Sequence, residues 1–146
     1  MEEQVILVDI EDLPVGTMPK MLAHEQGVLH RAFSNFIFNS EGELLLQQRA
    51  LHKYHSAGKW TNTCCSHPKP GELTLDAAKR RLKEEMGMEC NLIYGFNFLY
   101  KAIFDNGLIE HELDHVFFGV TDQRPIINLD EVASFKYVKL AELNKN

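Results

Sequence analysis

Residues 64–88 read CCSHPKPGELTLDAAKRRLKEEMGM, and the second half of this stretch decides the fold. Leu75, Ala78, Leu82 and Met86 recur at three- and four-residue spacing, which predicts one apolar stripe along a helix over 75–86. Thr74 is a candidate N-cap, Asp76 suits the first turn, and Gly87 is placed to stop the helix. On such a helix Arg81 and Glu85 are one turn apart on a shared face.

Around this helix the chain reads as strands. Val5 to Val8 is an apolar, β-branched run, and Pro14-Val15-Gly16 after it reads as a turn. Ala32 to Asn39, then Ser40-Glu41-Gly42-Glu43, then Leu44 to Gln48 predict a hairpin. Residues 51–59 hold two His, two Lys and a Gly, the composition of a functional loop. Further strands are expected over 92–101, 110–120 and 133–139, with Pro125 in the turn before the last. Strands interleaved with one strong helix predict an α/β or α+β domain built on a mixed β-sheet. With 146 residues, no repeat and no linker, the expectation is one domain over 1–146.

An apolar share of 45% and a charged share of 25% are ordinary for a globular chain. A net charge of −6 argues against nucleic-acid or anionic-membrane partners, whose affinity comes from basic surface. It leaves room for a small-molecule phosphate ligand held by a few local cations. Two adjacent cysteines and one distant one are not a disulfide framework, which points to a reducing compartment. The start lacks the basic and apolar stretches of a secretory signal, and no apolar run approaches ~18 residues, so the expected location is cytoplasmic.

Several groups of residues could carry chemistry, and each has an ordinary alternative. Glu84 and Glu85 could offer hard oxygen ligands to Mg²⁺, or could form a solvated helix face paired with Arg80 and Arg81. Cys65 could exchange protons if nearby positive charge, such as His67 or a metal, lowered its pKa; otherwise it is an inert thiol. On a strand, Glu110 and Glu112 share a face at roughly 7 Å and repel unless a cation lies between them. Asp114 continues that parity, so an exposed acidic face is the alternative. His24 and His30 offer imidazole nitrogen, but six-residue spacing matches no compact metal motif. Lys20, Arg49 and Lys53 are cations suited to a diphosphate or ordinary surface charges, and Tyr100 is equally a core aromatic.

The spacing of Glu72, Arg80, Glu84 and Glu85 is similar to that of a Nudix box, with Ser66 in place of the opening Gly and Arg81 in place of a Glu. Further matches are Ala23-His24 through Leu29-His30 with Ala32-Phe33-Ser34, then Arg49-Ala50-Leu51 with Lys53. Trp60-Thr61-Asn62 leading to Cys65-Ser66-His67-Pro68, Tyr100-Lys101-Ala102 and Glu110-His111-Glu112 follow in order. Together these resemble the type 1 isopentenyl diphosphate isomerases, which have the Nudix fold, over essentially the whole chain.

The resemblance implies reversible conversion of isopentenyl diphosphate to dimethylallyl diphosphate, with Cys65, Glu112 and Tyr100 as catalytic residues. It implies one metal site of His24, His30, His67, Glu110 and Glu112 for Mn²⁺, Mg²⁺ or Zn²⁺. A second site, for Mg²⁺ on the diphosphate, would use Glu85 and the Cys65 carbonyl. Lys20, Arg49, Lys53, Arg81 and Ser34 would bind the substrate. The protein would act as a monomer or weak homodimer. Family members usually carry a C-terminal helical segment with a Trp over the pocket, which this domain is expected to lack, Trp60 being its one tryptophan. The alternatives are a Nudix hydrolase of a nucleoside diphosphate derivative and a catalytically impaired module that binds metal and diphosphate.

Overall fold

The computed structural model describes residues 3–53 and 57–143. The middle of the expected 51–59 loop, residues 54–56, and both chain ends lie outside the described residues. Along the chain run β1 (Gln4–Val8), β2 (Pro14–Pro19), α1 (Lys20–Gln26), β3 (His30–Phe38) and β4 (Glu43–Arg49). Then come β5 (Trp60–Thr61), β6 (Cys64–Ser66), α2 (Thr74–Met86), β7 (Ile93–Ile103), β8 (Ile109–Val120), β9 (Val132–Lys139) and α3 (Leu140–Leu143). The architecture is the expected mixed sheet with helices.

β3 is the hub. One edge pairs with β8 in parallel, from His30 opposite Glu112 to Phe38 opposite Val120. The other edge meets β1 at His30, β6 over Phe33–Asn35, and β4 at Phe38, all antiparallel. β7 extends the sheet beyond β8, β9 pairs with β4, and β2 pairs with β1. The main core fills the space between α2 and the sheet, with Ala77, Ala78, Leu82 and Met86 against Phe33, Ile37, Leu45 and Phe117. Burying the larger of these side chains contributes about 1.5–3 kcal/mol each.

Three local expectations change. The backbone reverses before Pro14, because Asp9 Oδ1 accepts from the Glu11 and Leu13 N–H groups and makes the turn itself. Pro14-Val15-Gly16 therefore begins strand β2. Leu73, with extended backbone, precedes α2, and Thr74 is already helical and gives no side-chain cap. Leu75 stays 38% exposed, because the buried face of α2 runs through Ala77, Ala78, Leu82, Glu85 and Met86. Gly87 ends the helix at φ 62°, and a Cβ there would meet the Ile126 carbonyl oxygen at 2.5 Å.

The loop that enters α2 is fastened to it by charge. Arg80 grips Glu72 with Nε at 2.8 Å and Nη2 at 3.0 Å, while the Lys69 N–H donates to Glu72 Oε1 at 2.9 Å. The hydrogen bonds from Arg80 hold the Glu72 pKa below its ordinary 4.5 despite some desolvation. A lowered carboxylate pKa contributes stability above pH 4.5 that is lost as the pH falls through the folded value. Glu72→Gln is expected to cost about 1 kcal/mol at pH 7, discounted for partial exposure, by urea unfolding. The difference from wild type should shrink in acid.

Candidate active site

Lys20 and His24 come from α1, a helix of seven residues that the amphipathic periodicity did not announce. It ends on Gly27 in the left-handed conformation, and the chain then turns back into β3. That reversal brings His24 and His30 to a ring separation of 5.4 Å across their six-residue spacing. His67, just after β6, sets its ring 5.0 Å from His30 and 6.0 Å from His24, tilted to both. Glu112 arrives from β8, directly opposite His30 in the parallel ladder. One ligand atom from each of His24, His30, His67 and Glu112 lies within 4.8 Å of the others.

The hydrogen bonds of this quartet suit a cation. His30 Nδ1 is 2.9 Å from the Val28 carbonyl oxygen, which can only accept, so Nδ1 carries the proton in the neutral ring. The lone pair on His30 Nε2 then faces Glu112 Oε2 at 3.4 Å with no hydrogen between them. His67 Nε2 is 2.9 Å from the same oxygen. Burial raises the pKa of Glu112, but the hydrogen bond with His67 and the closeness of both imidazoles outweigh it and hold the carboxyl well below the usual range. A buried lone pair facing a buried carboxylate, fixed from behind by a backbone carbonyl, is an arrangement that could hold a metal ion.

Above the quartet opens a cavity of about 610 Å³. Every other predicted site residue lines it: Lys20, Ser34, Arg49, Lys53, Cys65, Arg81, Glu85, Tyr100 and Glu110, alongside His24, His67 and Glu112. His30 alone is beneath the wall, at 0% exposure. Glu110 shares the cavity but is not among the four clustered ligands. Tyr100 is directly across the β7–β8 ladder from Glu112. Among the described residues no hydrogen bond joins its hydroxyl to that carboxylate.

Several ordinary alternatives give way. Glu85 is not on a solvated face: it is 5% exposed, gripped by Arg81 Nη2 at 2.6 Å and Nε at 3.0 Å, with Gln47 Nε2 at 2.9 Å from its other oxygen. The acidic strand face is not exposed either, since Glu112 and Asp114 are buried. Lys20 pairs with Glu3 at 2.7 Å, and Lys53 with Glu131 at 2.5 Å. Arg81 also approaches Glu131, at 3.5 Å.

Cys65 departs from expectation in its electrostatics. The thiol is reachable from the cavity, yet protein atoms displace most of the water around it. That desolvation and the Asp114 carboxylate push its pKa up to about 12, not down toward neutrality. The adjacent Cys64 is fully buried and raised by burial and by Glu85, the environment of an inert thiol. Asp114, which parity alone had flagged, accepts from Ser34 Oγ at 2.8 Å. Burial, then the Glu112 charge, raises its pKa to about 7. Asn62, Gln47 and Glu131 also belong to this site, and no spacing rule marked their roles.

The NUDIX domain family profile matches residues 28–146. Over 143 residues the chain is 58% identical to "Isopentenyl-diphosphate Delta-isomerase 2" of Aromatoleum aromaticum, covering 98% of this chain and 76% of that protein. It is also 58% identical over 142 residues to "Isopentenyl-diphosphate Delta-isomerase" of Pectobacterium atrosepticum, covering 97% of this chain and 79% of the relative. The chain belongs to the isopentenyl-diphosphate Delta-isomerase family. Its fold also matches the crystal structure of DR0079 from Deinococcus radiodurans, with a TM-score of 0.79 at 21% identity over 99% of this chain and 90% of that one. Membership in the isomerase family agrees with the Cys65-Ser66-His67-Pro68 element, whose first three residues line the cavity, and with Arg81 in the helix. Among the described residues no helix is long and apolar enough to cross a membrane.

Proposed function

We propose that this protein interconverts isopentenyl diphosphate and dimethylallyl diphosphate by moving protons at two carbons. The observation that carries the reading is a reachable thiol and a buried carboxylate, Cys65 and Glu112, on the wall of one cavity that also holds the predicted cations. An alkene is a feeble base, so protonating its terminal CH₂ demands a positioned acid in a site poor in water. The cation so formed is tertiary, and loss of a proton from the neighbouring CH₂ on the diphosphate side gives the trisubstituted alkene. One of the Cys65–Glu112 pair gives the first proton and the other takes the second. The reverse reaction exchanges their roles. The resemblance assigns the first donation to Glu112.

Lys20, Arg49, Lys53 and Arg81 anchor the phosphate oxygens, and Ser34 closes the cavity wall beside Cys65. Anchoring places the five-carbon chain between the two proton-handling groups, a positioning effect. The rings of Trp60, Phe98 and Tyr100 line the same cavity, offering π-faces to a carbocation. His24, His30, His67 and Glu112, with Glu110 beside them, would hold Mn²⁺, Mg²⁺ or Zn²⁺, and Glu85 with the Cys65 carbonyl would hold Mg²⁺. When bound, these ions neutralise phosphate charge and polarise the carboxylate.

Incubation with isopentenyl diphosphate and Mg²⁺ in heavy water tests the reading. Dimethylallyl diphosphate carrying deuterium in a methyl group is the expected product. Release of phosphate without double-bond migration would support a hydrolase instead, and diphosphate binding without deuterium uptake would support a binding module.

A further inference from the structure

We infer that Asn62 is the positioning residue for the Cys65 thiol: its amide, locked by two backbone carbonyls, holds an oxygen against the sulfur and fixes where the thiol points. The inference rests on the reading of Cys65 as a proton-handling group and adds the side chain that orients it.

Asn62 and Thr63 connect β5 to β6. Asn62 Nδ2 donates to the carbonyl oxygens of Asn35 at 2.9 Å and Cys64 at 3.2 Å. Those two residues are opposite each other in the β3–β6 ladder, so the amide is fastened to rigid backbone. Its orientation follows from donor counting. A flipped amide would set Oδ1 against two carbonyl oxygens, three acceptors with no hydrogen among them. Oδ1 is therefore turned outward, where Thr61 Oγ1 donates to it at 3.0 Å and Cys65 Sγ at 2.8 Å.

Among the described residues no other neighbour grips the sulfur as closely. Ser34 Oγ is 3.6 Å away and Thr61 Oγ1 3.9 Å away. The single hydrogen of each hydroxyl is already committed, to Asp114 Oδ2 and to Asn62 Oδ1. A cysteine side chain has three staggered wells about its Cα–Cβ bond, and one short contact selects among them. Loss of that contact frees the sulfur to leave the direction of the cavity, and a misplacement of about 1 Å can cost roughly a hundredfold in rate.

The experiment compares full-chain wild type, Cys65→Ala and Asn62→Ala with Mg²⁺ and isopentenyl diphosphate, with thermal unfolding alongside. Inactive Cys65→Ala upholds the parent reading, and an active one removes it. Asn62→Ala is expected to lower kcat by about tenfold to a hundredfold with KM within about twofold. Unchanged kcat per folded molecule, even with a lowered Tm, would overturn the positioning role while leaving Cys65 in place. A KM rise matching the loss would overturn it too, by making Asn62 a binding residue. A second measurement needs no Asn62 variant: the infrared S–H band that disappears in Cys65→Ala. It should fall at lower frequency than that of an unbonded thiol. A band at the free-thiol position, or none at all, would refute the contact.

Discussion

Cys65→Ala should abolish double-bond migration while leaving the protein folded. The side chain removed is one sulfur on a cavity wall, with one short hydrogen bond to Asn62. A change of this kind away from the core typically shifts stability by less than about 1 kcal/mol. The chemical loss is of another size. Proton transfer by a positioned group is commonly worth about two to four orders of magnitude, and alanine offers no substitute donor or acceptor. A fall in kcat of about a thousandfold or more is expected, with an unchanged far-UV spectrum. Cys64→Ala is the paired control. Its sulfur is buried in the core against α2, so that variant should lose stability and keep turnover. Turnover retained in Cys65→Ala would take this thiol out of the mechanism.

Glu112→Gln should be as damaging, and for two reasons at once. The amide is nearly isosteric, but it carries no charge and cannot exchange a proton with carbon. It also removes the anion that faces His30 at 3.4 Å and His67 at 2.9 Å. Loss of turnover should therefore accompany loss of metal at the histidine site, measured as metal content after gel filtration. Losing an anionic ligand or its support typically costs about tenfold to a hundredfold in metal affinity. A variant that keeps its metal yet is inactive would confine Glu112 to proton transfer. One that is fully active would sink both roles.

What the sequence made legible followed the length and regularity of each element. α2, the β3–β4 hairpin and the long strands β7, β8 and β9 have enough periodic residues to declare themselves. α1 has seven residues, too few to be stable alone or to display a stripe, so its helical state depends on packing. β5 and β6 are two and three residues long and exist because β4 and β3 offer them free edges. β2 was hidden behind its own Pro and Gly, because the turn was made earlier by Asp9.

The candidate site divides the same way. Residues of distinctive type, such as Cys65, the histidines and the Glu pair, could be nominated one by one. Their meeting was implied by the resemblance but not by spacing, because it depends on the parallel pairing of two distant strands, which sets His30 across from Glu112. The supporting residues were quieter still. Asn62, Gln47 and Asp114 act through directed hydrogen bonds, and those become visible only when donors and acceptors are placed in space.

That β3–β8 alignment also governs how the molecule can vary. Successive side chains of a strand point to opposite faces, so adding or deleting one residue within either partner would turn His30 or Glu112 away from the other. Natural variation in length should then concentrate in segments outside the ladder, such as 104–108, where the spacing of the two strands is not at stake. Lineages of this enzyme should tolerate a longer turn there, and should be intolerant of an indel in either of these two strands.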